Sequence, residues 1–88
     1  MRILIVEDER EILTLLGEQL DGAGFDSDGA RSLLEATRAL EASDYDLVLL
    51  DRRLPDGDGL HFIPKIRELR PQARVIMLTA RDAPYDKV

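Results

Sequence analysis

Acidic and hydroxyl side chains recur in this chain at one kind of place, immediately after a short apolar run. Glu7-Asp8-Glu9 follows Ile3-Leu4-Ile5-Val6, Asp51 follows Leu47-Val48-Leu49-Leu50, and Thr79 follows Val75-Ile76-Met77-Leu78. Crowded carboxylates repel one another unless a cation offsets them. An oxygen donor set without histidine or cysteine suits a hard ion. A few carboxylates with water and phosphate suit Mg2+ better than a dedicated calcium cage. The EF-hand loop spacing is absent. A second reading of Glu7, Asp8 and Glu9 stands beside this one: they also fall at the first turn of a helix, where negative side chains complement the macrodipole. That reading fits Asp51 poorly, because Asp51 closes an all-apolar run and precedes a Pro-Gly loop.

The elements between these residues must bring them together. None of the three apolar runs alternates with polar residues, which is the pattern of a strand buried on both faces of a parallel sheet. Leu13, Leu16 and Leu20 recur at helical spacing, Ile12 and Leu15 widen the stripe, and Gly22 and Gly24 end it. Ser32-Leu33-Leu34-Glu35 has the spacing of a capping box, with Leu33, Ala36, Thr37 and Leu40 on the inner face of the helix it opens. A third helix starts near Asp58-Gly59, carries Phe62, Ile66 and Leu69 inward, and stops at Pro71. Pro64 lies beyond its first turn and predicts a kink, or a helix whose regular part begins later. Phe25-Asp26-Ser27-Asp28 reads as a short, polar edge strand.

The resulting order, β-α-β-α-β-α-β, predicts an α/β doubly wound parallel sheet with right-handed crossovers and helices on both faces. In such a sheet the C-terminal ends of the strands share one rim, and ligands bind there where the strand order reverses. The acidic cluster, Asp51 and Thr79 are delivered to that rim by topology rather than by proximity along the chain. The first helix carries a wider apolar stripe than one sheet face requires, and no segment is an obvious second neighbour for it. That points to a fragment of a longer fold. Ala83-Pro84-Tyr85-Asp86-Lys87-Val88 could open a further helix but lacks the length to complete one.

Composition narrows the function classes. The 88 residues carry 12 basic and 18 acidic side chains, a net charge of −6, with 44% hydrophobic and 34% charged residues. One small globular domain is expected, and a nucleic-acid surface within it is disfavoured for want of a basic patch. The absence of cysteine removes disulfides, thiolate zinc sites and cysteine nucleophiles. No apolar run approaches the ~20 residues of a membrane helix, and no signal peptide opens the chain, so a cytoplasmic protein without membrane attachment is expected. Gly22-Ala23-Gly24 follows a helix rather than a strand and is no dinucleotide fingerprint; a P-loop lysine motif is also missing. Asp51-Arg52-Arg53 lacks the second carboxylate of an aspartate-based phosphatase. His61, the single histidine, reads as an exposed helix residue, and Tyr45 and Tyr85 are too sparse for a stacking platform.

Four pieces in order, Ile3-Leu4-Ile5-Val6-Glu7-Asp8-Glu9, Leu49-Leu50-Asp51, Leu54-Pro55-Asp56-Gly57-Asp58-Gly59 and Met77-Leu78-Thr79-Ala80-Arg81, give the chain its family resemblance. It resembles the receiver domain of two-component response regulators, nearest the type fused to a winged-helix DNA-binding domain. The resemblance implies a flavodoxin-like receiver fold with strand order 2-1-3-4 and a phosphoacceptor at Asp51, which would take a phosphoryl group from a histidine of a sensor kinase. It further implies that Glu7 and Asp8 would hold Mg2+ together with Asp51 and the backbone carbonyl of Arg53. Thr79 would donate its hydroxyl to a phosphoryl oxygen, with the small Ala80 leaving access to it. Arg53 and Arg81 match positions that tune the lifetime of the acyl phosphate, and equally suit solvated surface cations. Such a module assists its own phosphorylation and dephosphorylation without being an enzyme in its own right.

The chain departs from the family pattern after its fourth strand. Receivers have a fifth strand ending in a lysine that pairs with the phosphoryl group, and two further helices. No lysine here matches: Lys87 is too close to Thr79 and Lys65 falls on the third helix. Residues 1–88 therefore read as the N-terminal part of a receiver domain, with a DNA-binding output domain absent from the chain. The last strand would be a bare sheet edge. That leaves a competing reading, a non-catalytic interaction module that pairs or swaps with a second copy through its exposed edge, as a homodimer or swapped assembly.

Overall fold

The computed structural model describes residues 1–78. Its elements run β1 (Arg2–Val6), α1 (Arg10–Gly22), β2 (Asp26–Ala30), α2 (Leu33–Ala42), β3 (Leu47–Leu50), β4 (Arg53–Leu54), β5 (Gly57–Asp58), α3 (Gly59–Leu69) and β6 (Arg74–Met77). The main sheet is parallel with order β2-β1-β3-β6, and β4 and β5 form a separate antiparallel pair. This is the expected α/β architecture and order, with β6 as its fourth strand. The β4–β5 hairpin lies outside the expected plan.

Position in the sheet explains each strand's composition. β1 sits between β2 and β3, and Ile3, Leu4, Ile5 and Val6 are all buried. Leu4 and Val6 pair with Val48 and Leu50 on the face covered by α2 and α3, where Ala36, Leu40, Phe62 and Ile66 complete the core. The opposite face receives α1: Gly29 of β2, paired with Ile5, lies against the Leu13 side chain, where a Cβ would be 3.0 Å from its methyl carbons. α1 fully buries none of its residues, and Leu15 and Ile76 stand 53% and 52% exposed. β6 is the other edge of the sheet among the described residues, so its side chains alternate between half-buried and exposed despite an apolar sequence. β2 is the predicted edge strand, but it runs on to Gly29 and Ala30. Register with β1 sets that extension, placing buried Ala30 beside Val6.

The starts of α2 and α3 follow the capping chemistry closely. Ser32 is the N-cap of α2, its Oγ accepting the Glu35 N–H at 3.1 Å. The reciprocal bond is shifted by one residue: Glu35 Oε1 accepts from the Arg31 N–H at 2.8 Å. Asp56, in the turn between β4 and β5, takes the next two donors of α2, Leu33 N–H at 2.8 Å and Leu34 N–H at 3.0 Å. A carboxylate from a distant loop thus completes the cap. α3 starts at Gly59, with Asp58 accepting from Leu60 N–H at 2.9 Å, and runs through Pro64 to Leu69 as one helix. A later regular start is thereby corrected. The exposed Pro64 removes one donor within a helix whose start is already fixed by its cap. At the far end of α2, Arg70 Nε donates to the carbonyls of Leu40 and Ser43 at 2.8 and 2.9 Å, satisfying acceptors that the helix leaves open.

The Asp56 carboxyl is held below its usual range chiefly by the Leu33 N–H, with Leu34 adding to the effect and desolvation opposing it. A depressed carboxylate contributes stability above its unfolded pKa of ~3.9 and loses it as pH falls through the lower folded value. Asp56→Ala is therefore expected to cost about 1 kcal/mol near neutrality, the usual size of a lost helix cap. Thermal melts of the two proteins should begin to converge as the pH drops below ~4 and meet once it is below the lower folded value. A gap that persists unchanged in acid would mean that the charge of Asp56 contributes nothing.

Candidate metal and phosphoacceptor site

The strand order reverses between β1 and β3, and the site lies beyond the C-terminal ends of these two strands. Both ladders extend one residue past the strands: Glu7 N–H donates to Ala30 O, and Asp51 N–H donates to Val6 O, each at 2.9 Å. Sheet hydrogen bonding therefore fixes the backbone of both acidic residues. Glu7 and Asp51 are 2% and 1% exposed. Asp8 is half-buried beside them, and one carboxylate oxygen from each of Glu7, Asp8 and Asp51 lies within 4.8 Å of the other two. Glu7 Oε2 accepts the Glu9 N–H at 2.9 Å and Asp51 Oδ1 accepts the Arg52 N–H at 2.8 Å, so each acid is oriented by a nearby main-chain donor.

The helix-start reading of the acidic run divides between its members. Glu9 is the N-cap of α1 and is exposed, whereas Glu7 belongs to the sheet ladder. Three converging carboxylates, two of them buried, form an all-oxygen donor set whose charge calls for a cation. That chemistry fits Mg2+.

The remaining predicted residues are placed as follows. Arg53 opens β4, where it pairs with Asp58 across the short hairpin, and its side chain is exposed. Leu78 N–H donates to Leu50 O at 2.8 Å, continuing the third ladder. Thr79, Ala80 and Arg81 lie outside the described residues, as do Lys87 and the rest of the segment from Ala83 to Val88. His61 is exposed on α3, and Lys65 pairs with Glu68 at 3.8 Å on the same helix. Among the described residues, Glu7, Asp8 and Asp51 are the one grouping suited to a metal ion.

Four residues at the site carry roles that no sequence motif assigns. Gly59 packs so closely on the strand end that a Cβ there would overlap the Asp51 carbonyl oxygen and sit 3.1 Å from Leu50 Cγ. Asp56 ties the loop after Asp51 to α2; the Pro55-Asp56-Gly57 sequence is a turn signal that could have located the hairpin. Arg31 donates through Nε and Nη2 to the Asp8 carbonyl, at 3.2 and 3.0 Å. No sequence pattern announces that contact. Arg52 turns its guanidinium to Asp58, with Nε 3.2 Å from Oδ2, so this cation braces the start of α3.

A doubly wound sheet with carboxylates grouped at its switch point defines the flavodoxin-like receiver class. Residues 3–88 match the model of the response regulator receiver domain, and the chain belongs to that family. It is 43% identical over 88 residues to the transcriptional regulatory protein BasR of Escherichia coli K12, covering all of this chain and 40% of BasR. The chain thus spans less than half the length of that curated relative. Among solved structures, the response regulator TrrA of Thermotoga maritima in complex with Mg2+-BeF superposes with a TM-score of 0.85. It shares 37% identity, with coverage of 99% of this chain and 76% of that one. A complex of the histidine kinase ThkA with TrrA matches at 40% identity and a TM-score of 0.82, covering 90% of this chain and 68% of that one.

Proposed function

We propose that this chain is the N-terminal part of a receiver module that accepts a phosphoryl group on Asp51 from a sensor histidine kinase, with Mg2+ held by Glu7, Asp8, Asp51 and the Arg53 carbonyl. The observation that carries this reading is the convergence of Glu7, Asp8 and Asp51 within 4.8 Å at the sheet's switch point. The ThkA–TrrA complex supports a kinase partner, and the Mg2+-BeF complex of TrrA supports the ion. Likeness to BasR supports a transcriptional output exerted through a DNA-binding domain outside these residues. On this reading the module is a phosphoacceptor rather than an enzyme, and it works in the cytoplasm. Among the described residues no helix is long and apolar enough to cross a membrane.

The chemistry asks little of the protein beyond placement and charge control. An Asp51 carboxylate oxygen attacks phosphorus in line, an O–P bond forms, and the N–P bond to the kinase histidine breaks with its electron pair leaving on the imidazole nitrogen. Burial of Asp51 and its bond from Arg52 N–H hold the nucleophile in one orientation. Mg2+, when bound, supplies positive charge against the phosphoryl oxygens and the crowded acids. Thr79 would donate its hydroxyl to a phosphoryl oxygen beside the small Ala80.

The test is incubation with acetyl phosphate and Mg2+, followed by intact-mass measurement. Wild-type chain should gain about 80 Da, the mass of one transferred phosphoryl group, and Asp51→Asn should gain none. Equal labelling of both proteins would remove Asp51 from the role. The exposed Ile76 on β6, an edge strand among the described residues, favours a second reading, association with another copy of the chain, and light scattering over a concentration series would detect it.

A further inference from the structure

We infer that Arg31 is a positioning residue for the metal site, and that Asp56 braces it through the start of α2. This inference rests on the reading of Glu7, Asp8 and Asp51 as Mg2+ ligands.

The contacts close a ring. Asp8 and Asp51 approach one another from the loops after β1 and β3, just past the ladder bond from Asp51 N–H to Val6 O. The Arg31 guanidinium grips the Asp8 carbonyl with two N–H groups, at 3.2 and 3.0 Å. Arg31's own N–H is held by Glu35 Oε1 at 2.8 Å, which fixes the turn between β2 and α2. The next two donors of that turn, Leu33 N–H and Leu34 N–H, are taken by Asp56 at 2.8 and 3.0 Å. Asp56 in turn follows Asp51 by five residues through the β4–β5 hairpin. Leu33 also packs on the hairpin, where a Cβ on Gly57 would come within 2.9 Å of its Cδ1. The β2–α2 turn therefore acts as a bracket between the two halves of the ligand set.

A two-pronged hold is geometric, and only arginine presents such a planar fork. Residues that orient metal ligands from behind change metal affinity by 10–100-fold when lost. Charge alone works in the opposite direction: a cation near an acidic trio competes with Mg2+, so its removal should tighten binding. The two effects differ in sign, which makes them separable.

The experiment is calorimetric titration of the whole chain with MgCl2 alone, comparing wild type with Arg31→Ala, Arg31→Lys, Asp56→Ala and the Arg31→Ala/Asp56→Ala double variant. Arg31→Ala is expected to weaken Mg2+ binding roughly ten-fold, and Arg31→Lys, which keeps the charge but loses the fork, to recover little of it. Asp56→Ala should weaken binding less, and the double variant should be no worse than Arg31→Ala, because both act through one bracket. Amide exchange in metal-free protein gives a second readout: Arg31→Ala should speed exchange at Glu9, whose N–H is bonded to Glu7, while leaving the β1 core amides unchanged. Unaltered or tighter Mg2+ binding by Arg31→Ala, or full rescue by lysine, would overturn the positioning role. Failure of the wild-type chain to bind Mg2+ would instead overturn the ligand reading beneath it.

Discussion

Gly59→Ala is expected to destabilise the protein by about 2–3 kcal/mol, and to disturb the phosphoacceptor more than its distance from the reacting atoms suggests. Overpacking a tight site typically costs about 1–3 kcal/mol, and the cost is smallest when a flexible side chain can yield. Here the obstacle is the Asp51 carbonyl, a main-chain atom in the segment leaving β3, with Leu50 Cγ 3.1 Å away on the other side. Gly59 is also tied by its own N–H to Arg52 O at 2.7 Å, so α3 cannot slide outward without breaking that bond. Alanine's better helix propensity, up to about 1 kcal/mol, offsets only part of the clash. Against a total stability of about 5–15 kcal/mol for an ordinary domain, the remainder is large.

Urea denaturation of Gly59→Ala beside Gly22→Ala checks this. Gly22 ends α1, and a methyl group added there would have nothing within 4 Å, so alanine should be neutral or slightly stabilising. Because strain at Gly59 falls on the residue that carries the nucleophile, labelling of the surviving folded fraction should also slow. Equal midpoints for both variants would show that the β3 end relaxes freely.

Much of this fold is legible because its central strands are short and almost wholly apolar. β1 and β3 are recognised by the lack of alternation, and the ladder then carries Glu7 and Asp51 to one rim without any signal of their proximity in sequence. Ser32 and Asp58 are legible as helix starts, since the side-chain oxygen that caps each helix is written in the residue type. Less visible are interactions whose partners are far apart and individually ordinary. Arg31 is one of many exposed arginines until the β2–α2 turn sets it over the Asp8 carbonyl. Asp56 looks like a turn residue until it is seen to cap a helix more than twenty positions earlier. Gly59 reads as flexible, whereas its function is to be small. The end of β2 escapes a propensity argument because Gly29 and Ala30 are weak strand formers, held in place by pairing with Ile5 and Val6.

Neutralising one acid of the cluster should raise the melting temperature of metal-free protein even as it weakens or removes the response to Mg2+. Three carboxylates with oxygens within 4.8 Å repel pairwise. At that separation one pair is worth about 3 kcal/mol with an effective dielectric near 20. Main-chain donors from Glu9 and Arg52 relieve part of this, and the half-buried Asp8 is partly screened by water. A net gain of about 1–2 kcal/mol for Asp51→Asn is therefore expected, or roughly 5–10 °C for a domain of this size. Asparagine retains the oxygen that accepts the Arg52 N–H, so the substitution removes charge while leaving that bond available. In wild-type protein, Mg2+ at ten times its dissociation constant should add about 1.4 kcal/mol by mass action. In Asp51→Asn that increment should shrink or vanish, since a ligand and a negative charge leave together. Melting both proteins in chelator and again in excess MgCl2 reads all four values. A lower melting point for Asp51→Asn in chelator would mean that the acids are stabilised by the protein without a cation. An equal Mg2+ increment in both would place the ion elsewhere.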